Sequence, residues 1–186
     1  MKKTKKKKRK KKNIRIILLG ILFLLILILW SRFIIGIALT MLFAVATFLS
    51  IQFSVKLEYI DLNCFLATSC FMSYVFGPVT GLLYALLVGG ISYSIARLSF
   101  DSISIITIST TFAIVCGVLG VFFNLDLNSA YIISVISQPI VSAIWFYITT
   151  GNLIRIIGIN SSQLIINLFL YLPLLNLFYL LITPFI

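Results

Sequence analysis

The stretch Phe33–Val55 reads FIIGIALTMLFAVATFLSIQFSV and contains no charged residue. A helix of about 20 apolar residues is long enough to cross a hydrocarbon core of about 30 Å. A transmembrane strand would instead alternate polar and apolar residues over about ten positions. The stretch therefore predicts a membrane-spanning helix, and most of the remaining chain has the same character.

Charged residues are scarce outside the N-terminus: they make up 10% of the 186 residues overall, whereas soluble domains have about a quarter. The uncharged stretches predict seven apolar helices, at residues 14–30, 33–55, 62–76, 78–96, 103–123, 129–149 and 163–182. Asn160-Ser161-Ser162 is predicted to cap the start of the last one. The expected fold class is all-α, a polytopic membrane helix bundle with six core transmembrane helices plus an extra N-terminal apolar helix.

Three regions are expected along the chain. Residues 1–13, MKKTKKKKRKKKN, predict a disordered basic tail that the positive-inside rule keeps cytoplasmic and that anionic membrane lipids attract. No aromatic residues are interleaved with the lysines, so no nucleic-acid partner is expected. Residues 14–32 form the extra apolar helix and residues 33–186 the six-helix membrane domain. We therefore expect a multi-pass protein of the cell membrane.

The residues that usually carry catalysis or bind metals are missing or isolated. The chain has no histidine, and its three cysteines, Cys64, Cys70 and Cys116, lie in apolar runs without a Cys-x-x-Cys spacing. Such cysteines are typical of buried small hydrophobic residues. We therefore expect no metal site, no cofactor and no enzymatic activity.

Small residues recur every four positions on two predicted helices, as Gly36, Thr40 and Ala44 on one and as Gly81, Ala85 and Gly89 on the other. This spacing clears one helix face, so that another backbone can approach closely. Packing within the chain and docking of a separate membrane subunit both explain such a stripe.

Polar side chains occur within the last two predicted helices, and those of the last helix share one face. They are Ser134, Ser137, Gln138, Ser142 and Trp145 on the sixth, and Asn160, Gln163, Asn167 and Tyr171 on the seventh. Amides are costly in lipid, so these side chains should face the bundle interior or a wet cavity. Hydrogen bonds between helices and a ligand cavity are both open interpretations.

The loops at 56–63, 97–102 and 151–162 should share one membrane face, because alternate loops of an up-and-down bundle lie on the same side. Their charged residues are three bases and three acids: Lys56, Glu58, Asp61, Arg97, Asp101 and Arg155. The opposite loops contain only Gly77-Pro78 and Asp126. A rim of mixed charge is typical of a small-molecule capture site and also of an ordinary solvated membrane edge.

The stretch Phe76–Ala85, FGPVTGLLYA, resembles the apolar–Gly-Pro–x–x–Gly turn in the substrate-binding subunits (S components) of energy-coupling factor (ECF) vitamin transporters. Ser104–Thr107, leading to Gly117 and Gly120, is similar to the fourth helix of that family. Ile132–Trp145 and Leu172-Pro173 agree in placement. The resemblance covers about residues 33–186.

The resemblance implies a six-helix protein that captures a vitamin or related micronutrient and relies on a separate transmembrane coupling protein and ATPase subunits. The chain has no GxxxxGK[ST] phosphate loop, in agreement with that division of labour. Gly36, Thr40 and Ala44 would dock against the coupling protein. The residues expected to bind substrate are Tyr59, Asp61, Arg97, Asp101, Trp145, Asn152, Arg155, Asn160, Gln163 and Asn167.

Two features depart from the family. The acidic residue often found at the end of its third helix is absent, since Ser92, Tyr93 and Ser94 stand there. A spanning helix at 14–30 would also turn the three-loop face to the cytoplasm, opposite to the binding side of the family. The alternative function is a non-transporting membrane scaffold of the cell envelope, which would use the same stripes and tail and needs no cavity.

Overall fold

The computed structural model describes Gly20 and residues 33–57, 60–97, 99–151 and 153–185. The predicted basic tail and, apart from Gly20, the predicted N-terminal helix lie outside these residues. The described part of the chain is helical and contains no strand. Its helices are α1 (Phe33–Val55), α2 (Phe65–Phe76), α3 (Pro78–Tyr84), α4 (Gly90–Arg97), α5 (Phe100–Phe123), α6 (Leu127–Thr150), α7 (Leu153–Ile166) and α8 (Leu172–Ile182).

Two π-helical turns make longer units out of the shorter helices. Ala85–Gly89 joins α3 to α4, and Asn167–Tyr171 joins α7 to α8. Thr183–Phe185 adds a final 3-10 turn. Five units in the described residues are long and apolar enough to cross a membrane, namely α1, α3–α4, α5, α6 and α7–α8. This is the architecture expected of a multi-pass membrane protein.

The predicted run at 62–76 is a short helix. α2 has 12 residues and is about 18 Å long at 1.5 Å per residue, so it is shorter than a membrane span. It lies in the centre of the bundle, where it packs against α3, α5, α6 and α8. Almost all of its residues are buried.

Glycines on the neighbouring helices let α2 pack this closely. A Cβ atom at Gly81 would lie 2.6 Å from Ser73 Cα, and one at Gly117 would lie 2.7 Å from the Ser73 carbonyl oxygen. A Cβ at Gly89 would meet the Phe65 ring in the same way. The stripe through Gly81 and Gly89 therefore packs within the chain, which decides between the two interpretations of this stripe.

The turns at one end of the bundle follow the sequence signals. Gly77 has φ 98°, a conformation that suits glycine, and Pro78 opens α3. Asn124 ends α5 in the left-handed region, and the Asp126 side chain accepts the Ser129 N–H to cap α6. This end of the bundle is therefore closed by short, well-specified connections.

The predicted start of the last helix is wrong. α7 begins at Leu153, so the predicted cap at 160–162 lies inside a helix, and most of the predicted loop 151–162 is helical. Ser162 Oγ donates to the Ile159 carbonyl within α7. Polar residues that face other parts of the bundle resemble a helix cap in sequence, because both patterns place Asn and Ser beside an apolar run.

Candidate functional site

The connection from α1 to α2 is set back from the end of the bundle. Ser50 Oγ accepts the backbone N–H of Cys64, the residue before α2, over 3.2 Å. Ser50 lies five residues before the end of α1 at Val55, a rise of about 8 Å. α2 therefore begins well inside the end of α1, and the connection must turn inward to reach it.

The same connection is bound to α7 at a similar depth. The backbone N–H of Asp61 donates to Ser162 Oγ of α7 over 3.0 Å, and the hydroxyl of Tyr171, on the π-helical turn that follows α7, donates to the Leu62 carbonyl. Ser162 is nine residues along α7 from Leu153, a rise of about 13 Å. Residues 60–64, here called the recessed loop, thus lie below the ends of α1 and α7.

Asn63 ties the recessed loop to α4. Its Nδ2 donates to the Tyr93 hydroxyl oxygen over 2.6 Å, and its Oδ1 accepts the Phe65 N–H over 2.8 Å. The second bond satisfies one of the free N–H groups at the start of α2. Neither Asn63 nor Tyr93 was predicted as a site residue. An Asn two residues before the start of α2 was the available signal for the first, and no sequence signal connects it to Tyr93.

Asp61 is the ionisable residue of the recessed loop. Its Oδ1 accepts the Asn63 N–H over 3.0 Å, and Ser54 lies beside the carboxyl group. Burial raises the pKa of Asp61, against the opposing effect of the Asn63 hydrogen bond. The fold therefore favours the neutral form of this side chain more than water does.

A chain of buried hydroxyl groups fixes α2 to α1 and α3. Thr47 Oγ1 lies 3.1 Å from both Thr68 Oγ1 and the Tyr84 hydroxyl oxygen. Thr68 Oγ1 in turn donates to the Cys64 carbonyl over 3.1 Å. One consistent direction runs from Tyr84 to Thr47 to Thr68 to that carbonyl. Because every hydroxyl proton has an acceptor, this cluster is suited to holding three helices together.

The interface of α6 and α7 has a polar seam. Tyr131 donates from its hydroxyl to Asn167 Oδ1 over 2.7 Å, and Asn167 Nδ2 donates to the Gln163 carbonyl over 2.7 Å. Gln163 and Asn167 are both buried, so the expectation that these amides face the interior is confirmed. Hydrogen bonding between helices accounts for Asn167. A ligand-binding role for either residue stays a prediction.

Two further amides on these helices are only partly satisfied. Gln138 Nε2 donates to Ser142 Oγ over 3.0 Å. Gln138 Oε1 and Asn160 Nδ2 are buried atoms with no hydrogen-bond partner among the described residues. Gln138 was noted as a polar residue of α6 but was not among the residues predicted to bind substrate.

The other predicted substrate-binding residues lie around this end of the bundle. Asp101 is half-buried in the first turn of α5, and Trp145 is exposed on α6. Ser99 Oγ caps α5 by accepting the Ser102 N–H. Lying outside the described residues are Tyr59 and Asn152 together with the side chains of Arg97 and Arg155.

The predicted docking stripe on α1 is half-buried. A Cβ atom at Gly36 would lie 3.3 Å from the Phe76 ring, so this residue packs within the chain. Thr40 Oγ1 donates to the Gly36 carbonyl of its own helix, and Ala44 is half-buried. A docking role for the three residues stays a prediction.

Within the described ranges no three residues of the His, Cys, Asp or Glu type come together in a way that would hold a metal ion. The three cysteines are buried there as free thiols. The site is thus made of amide, hydroxyl and carboxyl groups around a recessed loop.

No family model, no curated protein and no solved structure matches the chain.

Proposed function

We propose that the chain is the substrate-binding membrane subunit of an energy-coupling factor type uptake transporter. It captures a vitamin or related micronutrient at the end of the bundle that contains the recessed loop. The observation that carries this proposal is the depth of that loop, which Ser162 and Ser50 hold well below the ends of α7 and α1.

The recessed position of the loop is suited to solute capture. Hydrogen bonds of Asp61 and of the buried Asn63 hold the loop in place, and Ser162 of α7 lies beside it. A mostly apolar surround with a few convergent polar groups is typical of small-molecule sites. The opposite end contrasts with this arrangement, because the turn at Gly77 is short and the Tyr74 hydroxyl donates to the Leu125 carbonyl there.

The helix order also supports the resemblance to S components. A short buried helix, α2, precedes the Gly77-Pro78 turn, and four longer helical units follow it. Energy for uptake would come from separate coupling and ATPase subunits. The coupling protein would contact α1 along the stripe of Gly36, Thr40 and Ala44.

Binding of vitamins to the purified protein tests the proposal. The chain in detergent is titrated with each water-soluble vitamin in turn, with tryptophan fluorescence as the readout. We expect at least one vitamin to bind with micromolar or tighter affinity. Replacement of Gln163 by leucine should abolish this binding, whereas the control Asn176→Leu should not, since Asn176 pairs with Asn128 at the opposite end. A monodisperse, folded protein that binds no vitamin would refute the function.

A non-transporting membrane scaffold is the second candidate. It is favoured by Asn167, whose two polar atoms are both used inside the bundle, and by the satisfied hydroxyl chain at Thr47. Purification of the tagged chain from native membranes distinguishes the two candidate functions. Recovery of coupling and ATPase subunits supports the transporter, and recovery of envelope-synthesis proteins supports the scaffold.

Sidedness gives an independent test. A single cysteine at Asp101 in a background without Cys64, Cys70 and Cys116 is treated with a membrane-impermeant maleimide. Labelling in intact cells supports uptake from outside. Labelling only after permeabilisation supports the scaffold, because the recessed loop would then face the cytoplasm.

A further inference from the structure

The hydrogen bond between Tyr131 and Asn167 fixes how α6 and α7 align. The two helices are antiparallel neighbours joined at Gly151 and Asn152, and they pack against each other. Moving seven residues from Tyr131 toward the recessed-loop end reaches Gln138, and moving seven residues from Asn167 in the same direction reaches Asn160. Seven residues are two helical turns, which return to the same face at the same depth, about 10 Å from the first pair.

Gln138 and Asn160 are therefore the counterparts of Tyr131 and Asn167 two turns further along the seam. At the first level the donor and the acceptor meet. At the second level, among the described residues, the acceptor Gln138 Oε1 and the donor Asn160 Nδ2 both lack partners. Because Ser142 satisfies only one end of the Gln138 amide, one polar atom remains open in either orientation of that amide.

An unpaired acceptor and an unpaired donor at the same level of the seam together define the chemistry of a partner. A buried polar atom without a hydrogen bond is costly, and a group that offers both an N–H and a C=O removes the cost at both atoms. The adjacent parts of the two helices, residues 131–150 and 156–171, contain no charged residue. The ligand group that binds here should therefore be neutral, since a charged group would be buried on this seam without an oppositely charged side chain.

Trp145 extends the same face of α6. It lies seven residues beyond Gln138 toward the loop end, and its side chain is 43% exposed. An indole at this position offers a flat apolar surface, suited to a ring that carries the polar edge.

We propose that Gln138 Oε1 and Asn160 Nδ2 together bind the N–H/C=O edge of a neutral cyclic amide, ureido or pyrimidinedione group of the substrate. Gln138 accepts the ligand N–H, and Asn160 donates to the ligand carbonyl oxygen. This assignment rests on the proposed function and narrows it to a substrate class.

Pairs of small probes that differ only in N-methylation test the assignment. Uracil is compared with 1,3-dimethyluracil, and 2-imidazolidinone with 1,3-dimethyl-2-imidazolidinone, by saturation-transfer NMR on the full chain in detergent. Methylation removes the N–H donors and keeps the ring and the carbonyl groups. We expect at least one parent compound to bind about tenfold or more tightly than its methylated form, the effect of one unpaired buried acceptor. Equal binding of parent and methylated forms, or binding of neither, overturns the assignment.

Variants locate the site of binding. Asn160→Asp replaces the donor with an acceptor at the same size, and Gln138→Leu removes the acceptor. Each should weaken binding of the parent probe about tenfold or more, whereas Asn176→Leu should leave it unchanged. Unchanged binding in both Gln138 and Asn160 variants overturns the assignment.

Stability measurements test whether Gln138 and Asn160 form a purely structural hydrogen-bonded pair. If Gln138 and Asn160 hydrogen-bond each other instead, Gln138→Leu and Asn160→Leu will each lower the thermal midpoint and the double variant will be non-additive. That result overturns the assignment, and additive effects support it. A vitamin that binds but lacks an N–H/C=O edge would refute this inference and leave the proposed function intact, whereas the absence of any vitamin ligand would refute the function itself.

Discussion

The Tyr131 hydroxyl donates to Asn167 Oδ1 over 2.7 Å, between two fully buried side chains on α6 and on the π-helical turn after α7. This bond joins the last two long helical units of the chain. It also sets the register that brings Gln138 level with Asn160. This phenol–amide pair thus contributes to the alignment of the two units, because either group would be costly in the buried seam without the other.

Removal of the Tyr131 hydroxyl should destabilise the bundle. Tyr131→Phe leaves Asn167 Oδ1 buried without its donor, at an expected cost of about 1 kcal/mol, the usual size for such bonds in membrane proteins. Thermal unfolding in detergent measures this as a lower midpoint. The control is Tyr147→Phe on the same helix, because Tyr147 is exposed. Equal effects of the two substitutions would contradict a special role for the buried bond.

The hydroxyl chain at Thr47 should be a second point of weakness. Thr47→Val keeps the side-chain shape but removes the oxygen that lies 3.1 Å from both Thr68 Oγ1 and the Tyr84 hydroxyl. We expect a loss of about 1 kcal/mol or somewhat more, because two buried hydroxyl groups lose a partner. Thr107→Val is the matched control, since the exposed Thr107 hydroxyl donates to the Ile103 carbonyl of its own helix. A stable Thr47 variant would show that these groups find other partners.

Close approach of α5 to α2 should not tolerate a methyl group. Gly117→Ala places a Cβ atom 2.7 Å from the Ser73 carbonyl oxygen, so the helices must separate, at an expected cost of about 1–3 kcal/mol. Gly90→Ala is the control, because nothing lies within 4 Å of its Cβ position. That change should leave stability unchanged or raise it, since alanine favours helix. The prediction fails if both variants unfold at the wild-type temperature.

The two aspartates at opposite ends of the bundle should respond to pH with opposite signs. Burial raises the pKa of Asp61 above its ordinary value of 3.8. Its contribution to stability is therefore complete below that value and is lost as the pH rises through the raised pKa. Asp61→Asn keeps the acceptor for the Asn63 N–H without the charge. The variant should unfold at a higher temperature than wild type at neutral pH, and the difference should shrink as the pH falls.

Asp126 provides the opposite case. Hydrogen bonds from the Ser129 hydroxyl and N–H lower the pKa of Asp126, so its contribution is present above 3.8 and is lost as the pH falls through the lowered pKa. Asp126→Asn should therefore lower the thermal midpoint at neutral pH. The thermal midpoints of Asp61→Asn and Asp126→Asn, each compared with wild type from neutral pH down to below 3.8, check the predicted sign of each pH dependence. Two variants with shifts of the same sign would contradict the assigned environments.

Much of the helix layout was predictable from the chain. The predicted helix at 33–55 matches α1, and the run at 78–96 matches the α3–α4 unit, with its start at the Gly77-Pro78 turn. Long uncharged runs and a Gly-Pro break are strong signals because lipid leaves the backbone few alternatives to a helix. The start of α7 was mispredicted, since Asn160 and Ser162 look like a cap in sequence but occupy the interior of a helix.

The candidate site was predictable only in part. The polar face through Gln163 and Asn167 was visible from helical spacing. The contact between Asp61 and Ser162, and that between Asn63 and Tyr93, join residues far apart in the chain, and no local pattern records them. The depth of the recessed loop follows from the length of α2 together with the points at which its neighbours bind it.

The amino-acid sequence alone determined that the described chain is a bundle of apolar helices, because burial of backbone polar groups in lipid requires helices whatever their neighbours. Only the tertiary structure decided that Gly81 and Gly89 pack against α2 rather than against another subunit. It also decided that Gln138 and Asn160 each keep a polar atom without a hydrogen-bond partner among the described residues. Those outcomes depend on which faces meet and in which register. Close packing of particular side chains decides both, and hydrophobic periodicity alone leaves them open.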